Sequence, residues 1–195
     1  MLAHKRPDIE RAALQLFVKR GLRGTTVRDI AARARVAEGT LYRHWRSKRD
    51  LARAVFRDCA RTVANALRHE AAGEREPSDK LAAAVRALFR CARDDILLYE
   101  LLVLPPSRET RDFLDEGTSP AGVLAEIVQQ GQQRGKFAAD VDARLIGECV
   151  MGAINRVAMH RRLGTLPRRL ADYERELTDA VLASLEPRRR RRSTA

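Results

Sequence analysis

Apolar residues recur at three- and four-residue intervals along almost the whole chain, and the alternation of β-branched residues that marks strands is missing. That periodicity leaves one fold class, all-α. Breaks between the periodic stretches fall where helix-stopping residues cluster: Gly21 to Gly24, Gly73 to Ser78, Pro105 to Ser107, Gly117 to Pro120 and Gly164 to Pro167. About nine helices are predicted between them. At 45% hydrophobic and 33% charged, 195 residues can bury a core, which excludes disorder as the main state.

Several classes of protein are excluded next. The longest apolar run, Ile96 to Leu104, is broken by Glu100 and falls far short of the roughly 20 residues that cross a bilayer. No apolar segment of signal-peptide length follows the basic N-terminus, so neither export nor membrane association is expected. Cys59, Cys91 and Cys149 are odd in number and widely spaced, giving neither a disulfide framework nor a metal knuckle. A reducing, cytoplasmic setting fits.

The net charge of +12 is unevenly placed. Residues 1–60 carry 15 basic and 6 acidic side chains, residues 61–185 carry 18 and 19, and the last ten carry five arginines and one glutamate. A solubility surplus would be spread, whereas a nucleic-acid footprint is local. Arg188 to Arg192 follow Pro187, and the tail 187–195 is predicted to be disordered by self-repulsion.

Within the first sixty residues, a helix from about Asp8 to Arg20 carries the apolar stripe Ile9, Ala12, Ala13, Leu16 and Phe17. After a glycine turn, Thr25 and Thr26 offer a capping hydroxyl, and Val27, Ile30, Ala31 and Ala34 follow at helical spacing. Val36 plugs a tight turn, Glu38 puts negative charge at the next helix start, and Leu41 with Trp45 form an inward i, i+4 pair. Two short helices joined this way make a helix-turn-helix. The outward face of the second shows Gly39, Thr40 and Arg43, with Tyr42 and His44 toward an edge. Gly39 lets backbone approach a groove, Thr40 suits phosphate or a thymine methyl, Arg43 can fork onto guanine, and Tyr42 offers a phenol to phosphate. Lys48 opens a long fourth helix, about 48–71.

The run Thr25-Thr26-Val27-Arg28-Asp29-Ile30-Ala31-Ala32-Arg33-Ala34, then Val36, Gly39 to Trp45, Lys48 and Leu51, resembles the helix-turn-helix signature of the TetR family of transcriptional regulators over about residues 7–56. The resemblance implies that the third helix enters the major groove. Thr26, Tyr42 and Lys48 would then hold phosphates, with Glu38, Thr40, Arg43 and His44 nearest the bases, and Arg28, Arg35 and Gly39 completing the interface. Two positions depart from the pattern. Arg35 stands where glycine is usual, and a left-handed conformation there costs about 1–2 kcal/mol. Ala37 replaces a capping serine, weakening the cap by about 0.5–2 kcal/mol.

Beyond the signature only the helical plan resembles the family. Residues 1–50 are expected to form the DNA-binding domain and 51–186 a helical effector-binding and dimerisation domain. The resemblance implies a small-molecule pocket among its helices, with Phe89, Tyr99, Leu102, Phe113, Val128, Met151 and Asn155 as candidate lining. A helix over about 142–163 is apolar around nearly its whole circumference, and one over about 167–185 has apolar residues at 3/4 spacing. Paired with their symmetry mates, these last two helices predict a homodimer.

Nucleophile elbows, phosphate-cradling glycine loops and paired His or Cys ligands are absent, so neither an enzyme, nor a cofactor, nor a metal site is expected. The chain reads as a dimeric regulator, a repressor released from a palindromic double-stranded operator by a small effector. Its rival is a constitutive, charge-driven DNA binder without an effector.

Overall fold

The computed structural model describes residues 5–102, 112–113 and 119–187. The elements are α1 (Arg6–Arg20), α2 (Val27–Ala34), α3 (Glu38–Tyr42), α4 (Lys48–Ala72), α5 (Pro77–Asp94), α6 (Ile96–Leu102), α7 (Pro120–Gln133), α8 (Ala143–Arg162) and α9 (Leu170–Ser184). Among the described residues there are only helices and their connections, so the chain is all-α. Residues 103–111 and 114–118, and the arginine tail from 188, lie outside the described residues.

The described residues group into two compact units, one drawn from Met1–Thr62 and Cys91–Asp115, the other from Val63–Arg90 and Glu116–Ala195. The first unit thus takes in α4 as far as Thr62. The reason lies in the core of the first unit. The stripe of α1, Ile30 of α2, the Leu41–Trp45 pair and Leu51, Val55 and Phe56 of α4 are joined there by Leu101 and Phe113, both fully buried. Three short helices cannot close a core alone, and the later segment supplies the missing apolar side.

In the second unit α7 crosses α8 closely. A Cβ on Gly147 would lie 2.3 Å from the carbonyl oxygen of Ala121, so the crossing requires a glycine. The turn after α7 is held by Gln132, whose side-chain amide donates to Ala138 O at 2.8 Å and Val141 O at 2.7 Å. Asp142 then caps α8 by accepting from Arg144 N and Leu145 N. Of the apolar circumference of α8, Val150, Ile154 and Ala158 are buried, while Leu145 is 59% exposed and Cys149 and Gly152 also face solvent. Among the described residues no helix is long and apolar enough to cross a membrane.

Candidate nucleic-acid interface

The corner between α1 and α2 sets the aim of everything after it. Gly21, at φ +71°, ends α1 in a conformation that side-chain-bearing residues rarely adopt. Thr25 is fully buried, and its hydroxyl lies within hydrogen-bonding reach of Gly21 O at 2.8 Å and Leu16 O at 3.3 Å. Thr26 caps α2 in a reciprocal box: its Oγ1 accepts from Asp29 N at 3.1 Å, and Asp29 Oδ2 accepts from Thr26 N at 3.0 Å and Thr26 Oγ1 at 2.6 Å. The hydroxyl of Thr26 chiefly, with its amide, holds the Asp29 carboxyl below the usual carboxylate range.

The helix-turn-helix bend is made by Arg35, left-handed at φ +55° and ψ +49°. Its amide and that of Val36 donate to Ala32 O and Ala31 O, closing α2 despite the side chain that glycine would lack. Ala37 gives α3 no side-chain cap. α3 is only five residues long, ending at Tyr42, so Arg43 and His44 lie in the turn after it rather than within it. Trp45 N still bonds Leu41 O at 2.9 Å, and both side chains are buried.

Burying Leu41 and Trp45 turns the rest outward. Glu38, Gly39, Tyr42, Arg43 and His44 are exposed, and Thr40 is half-buried. A Cβ on Gly39 would meet nothing within 4 Å, so this surface is open to an approaching partner. Arg28, Arg35 and Arg43 are exposed and, among the described residues, make no ion pair. Arg46, which the sequence pattern did not single out, shares these properties; its signal is a cation directly after the buried Trp45. The outward side thus presents hydroxyls and guanidiniums suited to phosphates and base edges.

Two residues implied as phosphate contacts are otherwise engaged. Both donors of Thr26 go to Asp29. The Lys48 ammonium donates to Leu22 O and Thr25 O.

The candidate small-molecule residues separate. Phe89 and Val128 are buried and Met151 and Asn155 half-buried in the second unit. The side chains of Tyr99 and Leu102 lie outside the described residues. Phe113 lies apart from the four in the second unit: its ring is fully buried in the first unit, edge-on to Phe56 with centroids 5.5 Å apart. It is anchored there because Arg49 and Arg53 each lie 5.6 Å from the ring centroid and Asp112 accepts from Arg49 at 2.9 and 3.0 Å. A cleft of about 290 Å³ in the first unit is lined by none of the five whose side chains are described. Of its acids, Glu10 and Asp58 pair with Arg6 and Arg61 and Asp95 accepts from Leu98 N, and burial pushes the thiol of its Cys59 up to about 12. No metal-binding group of three His, Cys, Asp or Glu occurs among the described residues.

Residues 9–55 match the family model described as bacterial regulatory proteins, tetR family. A transcriptional repressor of Mycolicibacterium smegmatis, KstR2, is 28% identical over 74% of this chain and 73% of its own length. The fatty acid metabolism regulator protein of Bacillus subtilis is 24% identical over 79% and 83%. Among solved structures, the fatty acid degradation regulator FadR of Bacillus halodurans superposes with a TM-score of 0.78 at 23% identity, covering 94% of this chain and 97% of that one. FadR of Bacillus subtilis, solved in complex with stearoyl-CoA, gives 0.76 at 20% identity, covering 92% and 98%.

Proposed function

We propose that this chain is a TetR-family transcriptional repressor that acts as a homodimer on a palindromic operator from which an acyl-CoA releases it. The observation that carries the DNA reading is the open face around Gly39, Tyr42 and Arg43, with Leu41 and Trp45 buried behind it. Arg43 reads a base, Tyr42 and the exposed arginines hold phosphates, and half-sites lie a whole number of duplex turns apart. Dimerisation uses α8 and α9, whose exposed apolar residues Leu145, Cys149, Ala180 and Ala183 a second copy would cover. The effector class is supported by the fatty acid metabolism regulator of Bacillus subtilis and by the stearoyl-CoA held in the similar structure. It would occupy the second unit among Phe89, Val128, Met151 and Asn155. Release then follows from linkage: the acyl-CoA binds the two states of the dimer unequally, and DNA weakens the acyl-CoA by the same factor.

The test begins with genomic fragments selected on the purified protein. Tyr42→Phe should weaken binding to selected and random duplex alike. Arg43→Ala should weaken the selected site alone, by about 1–3 kcal/mol for a bidentate guanine contact. Equal loss on both duplexes would assign Arg43 to phosphate. Stearoyl-CoA should release the selected fragment where free coenzyme A does not.

A further inference from the structure

Lys48 is the first residue of α4 and is half-buried. Its ammonium donates to Leu22 O at 2.8 Å and to Thr25 O at 2.7 Å. Both carbonyls belong to the corner between α1 and α2, where the backbone runs outside any helix ladder and Leu22 O has within the corner a long bond from Thr25 N at 3.5 Å. The corner is otherwise braced from within by the Thr25 hydroxyl. Thr25 directly precedes Thr26, the N-cap of α2. One side chain therefore ties the start of α4 to the residue that launches the helix-turn-helix.

The chemistry of the contact is as telling as its place. An ammonium is compact and strongly hydrated, and it gives up water only for acceptors at good distance. Lys48 has two, both neutral, and no ion pair among the described residues. A lysine serving mainly to reach a phosphate would keep its head in solvent. Tyr42 and Arg43 do so.

From this geometry we infer that Lys48 is a positioning residue: it fixes the entry of α2 against the first turn of α4, and with it the aim of α3, instead of contacting DNA. The consequence for DNA rests on the reading proposed above, whereas the clasp itself can be tested without it.

Lys48→Met keeps most of the stem and removes the ammonium. Two measurements are needed: affinity for a fragment selected with the wild-type protein, across a salt series, and amide hydrogen exchange of residues 22–30 without DNA. Affinity should fall about tenfold with the slope of log K against log salt unchanged, since no phosphate contact is lost. Exchange across 22–30 should accelerate. A slope reduced by about 0.9 for each Lys48 removed would make it a phosphate contact and overturn the inference. Unchanged exchange would overturn it equally. Lys48→Gln separates the roles further, because a neutral amide can still donate to both carbonyls. It should recover part of the exchange protection and affinity, and a Gln variant as impaired as Met in both would count against the clasp. If the wild-type protein binds no duplex at all, the DNA reading fails while the exchange arms still decide the role of Lys48.

Discussion

Phe113 offers the sharpest test of the architecture, because its position in the sequence suggests an effector-facing residue and its ring fills the core of the first unit. Truncation to alanine removes a fully buried ring and opens a cavity bordered by Phe56 and the guanidiniums of Arg49 and Arg53. Large-to-small changes of this kind cost about 3–5 kcal/mol, of which roughly 0.5–1.5 is the edge-on aromatic contact. The surface ion pairs of Asp112 are screened by solvent, add little, and remain in the variant. The assay is built into the chain, since Trp45 is its one tryptophan and is buried in the same core. In urea, with an m-value of about 2 kcal/mol/M, the Trp45 transition should move down by about 1.5–2.5 M. Phe113→Leu, which keeps most of the apolar volume, should move it much less. A shift below about 0.5 M in Phe113→Ala would refute the packing argument. A pocket residue would behave in the opposite way, leaving the Trp45 transition in place and altering only the response to ligand.

Other perturbations act at different places. Gly147→Ala drives a Cβ to 2.3 Å from Ala121 O, so despite the helix propensity gained it should destabilise the second unit by about 1–3 kcal/mol, read as a lower thermal midpoint. Leu145→Asp places a charge on the exposed apolar stripe of α8 and should yield a monomer by light scattering; an unaltered dimer would move the interface elsewhere. Asp29 has a folded pKa below its usual value, so the stability it supplies is fully present above the unfolded pKa of about 3.9 and is lost as pH falls through the folded one. The Trp45 midpoint difference between wild type and Asp29→Ala should therefore be larger at pH 7 than at about pH 2, and a pH-independent difference would contradict the box.

The helical plan was legible because apolar spacing dictates it. The stripe Ile9, Ala12, Ala13, Leu16 and Phe17 is buried as a set, as are Leu41 and Trp45. The bend was legible too, since Arg35 at a turn position implied the positive φ that the structure has. The early end of α3 was not: Arg43 and His44 continue the spacing and nothing after them is a strong helix breaker. The surroundings of Phe113 were not legible either, because 3/4 spacing tells that a ring is buried, not in which core. The capping role of Thr26 was legible as a hydroxyl ahead of an apolar-periodic run. The contacts of Lys48 were not, because its partners are two backbone carbonyls, and carbonyls leave no trace in a sequence.

The same distinction decides how much of the basic surplus can act on DNA. Residues 1–60 carry a net +9, and if all of it neutralised phosphates a dimer would show a salt slope near −16. The structure divides those cations. Lys5, Arg6 and Arg20 pair with Asp8, Glu10 and Asp29; Arg33 donates to Gln15; Arg49 and Arg53 are held by Asp112; Lys48 is held by carbonyls. Along the helix-turn-helix and the turn that follows, Arg28, Arg35, Arg43 and Arg46 remain outward, and a dimer presenting all four from each copy should show a slope near −7. Measured on a selected fragment between about 50 and 200 mM salt, that value separates a structured interface from a diffuse one. A slope approaching −16 would mean that the paired cations release their partners on DNA, and the rival of a charge-driven binder would then describe the protein better.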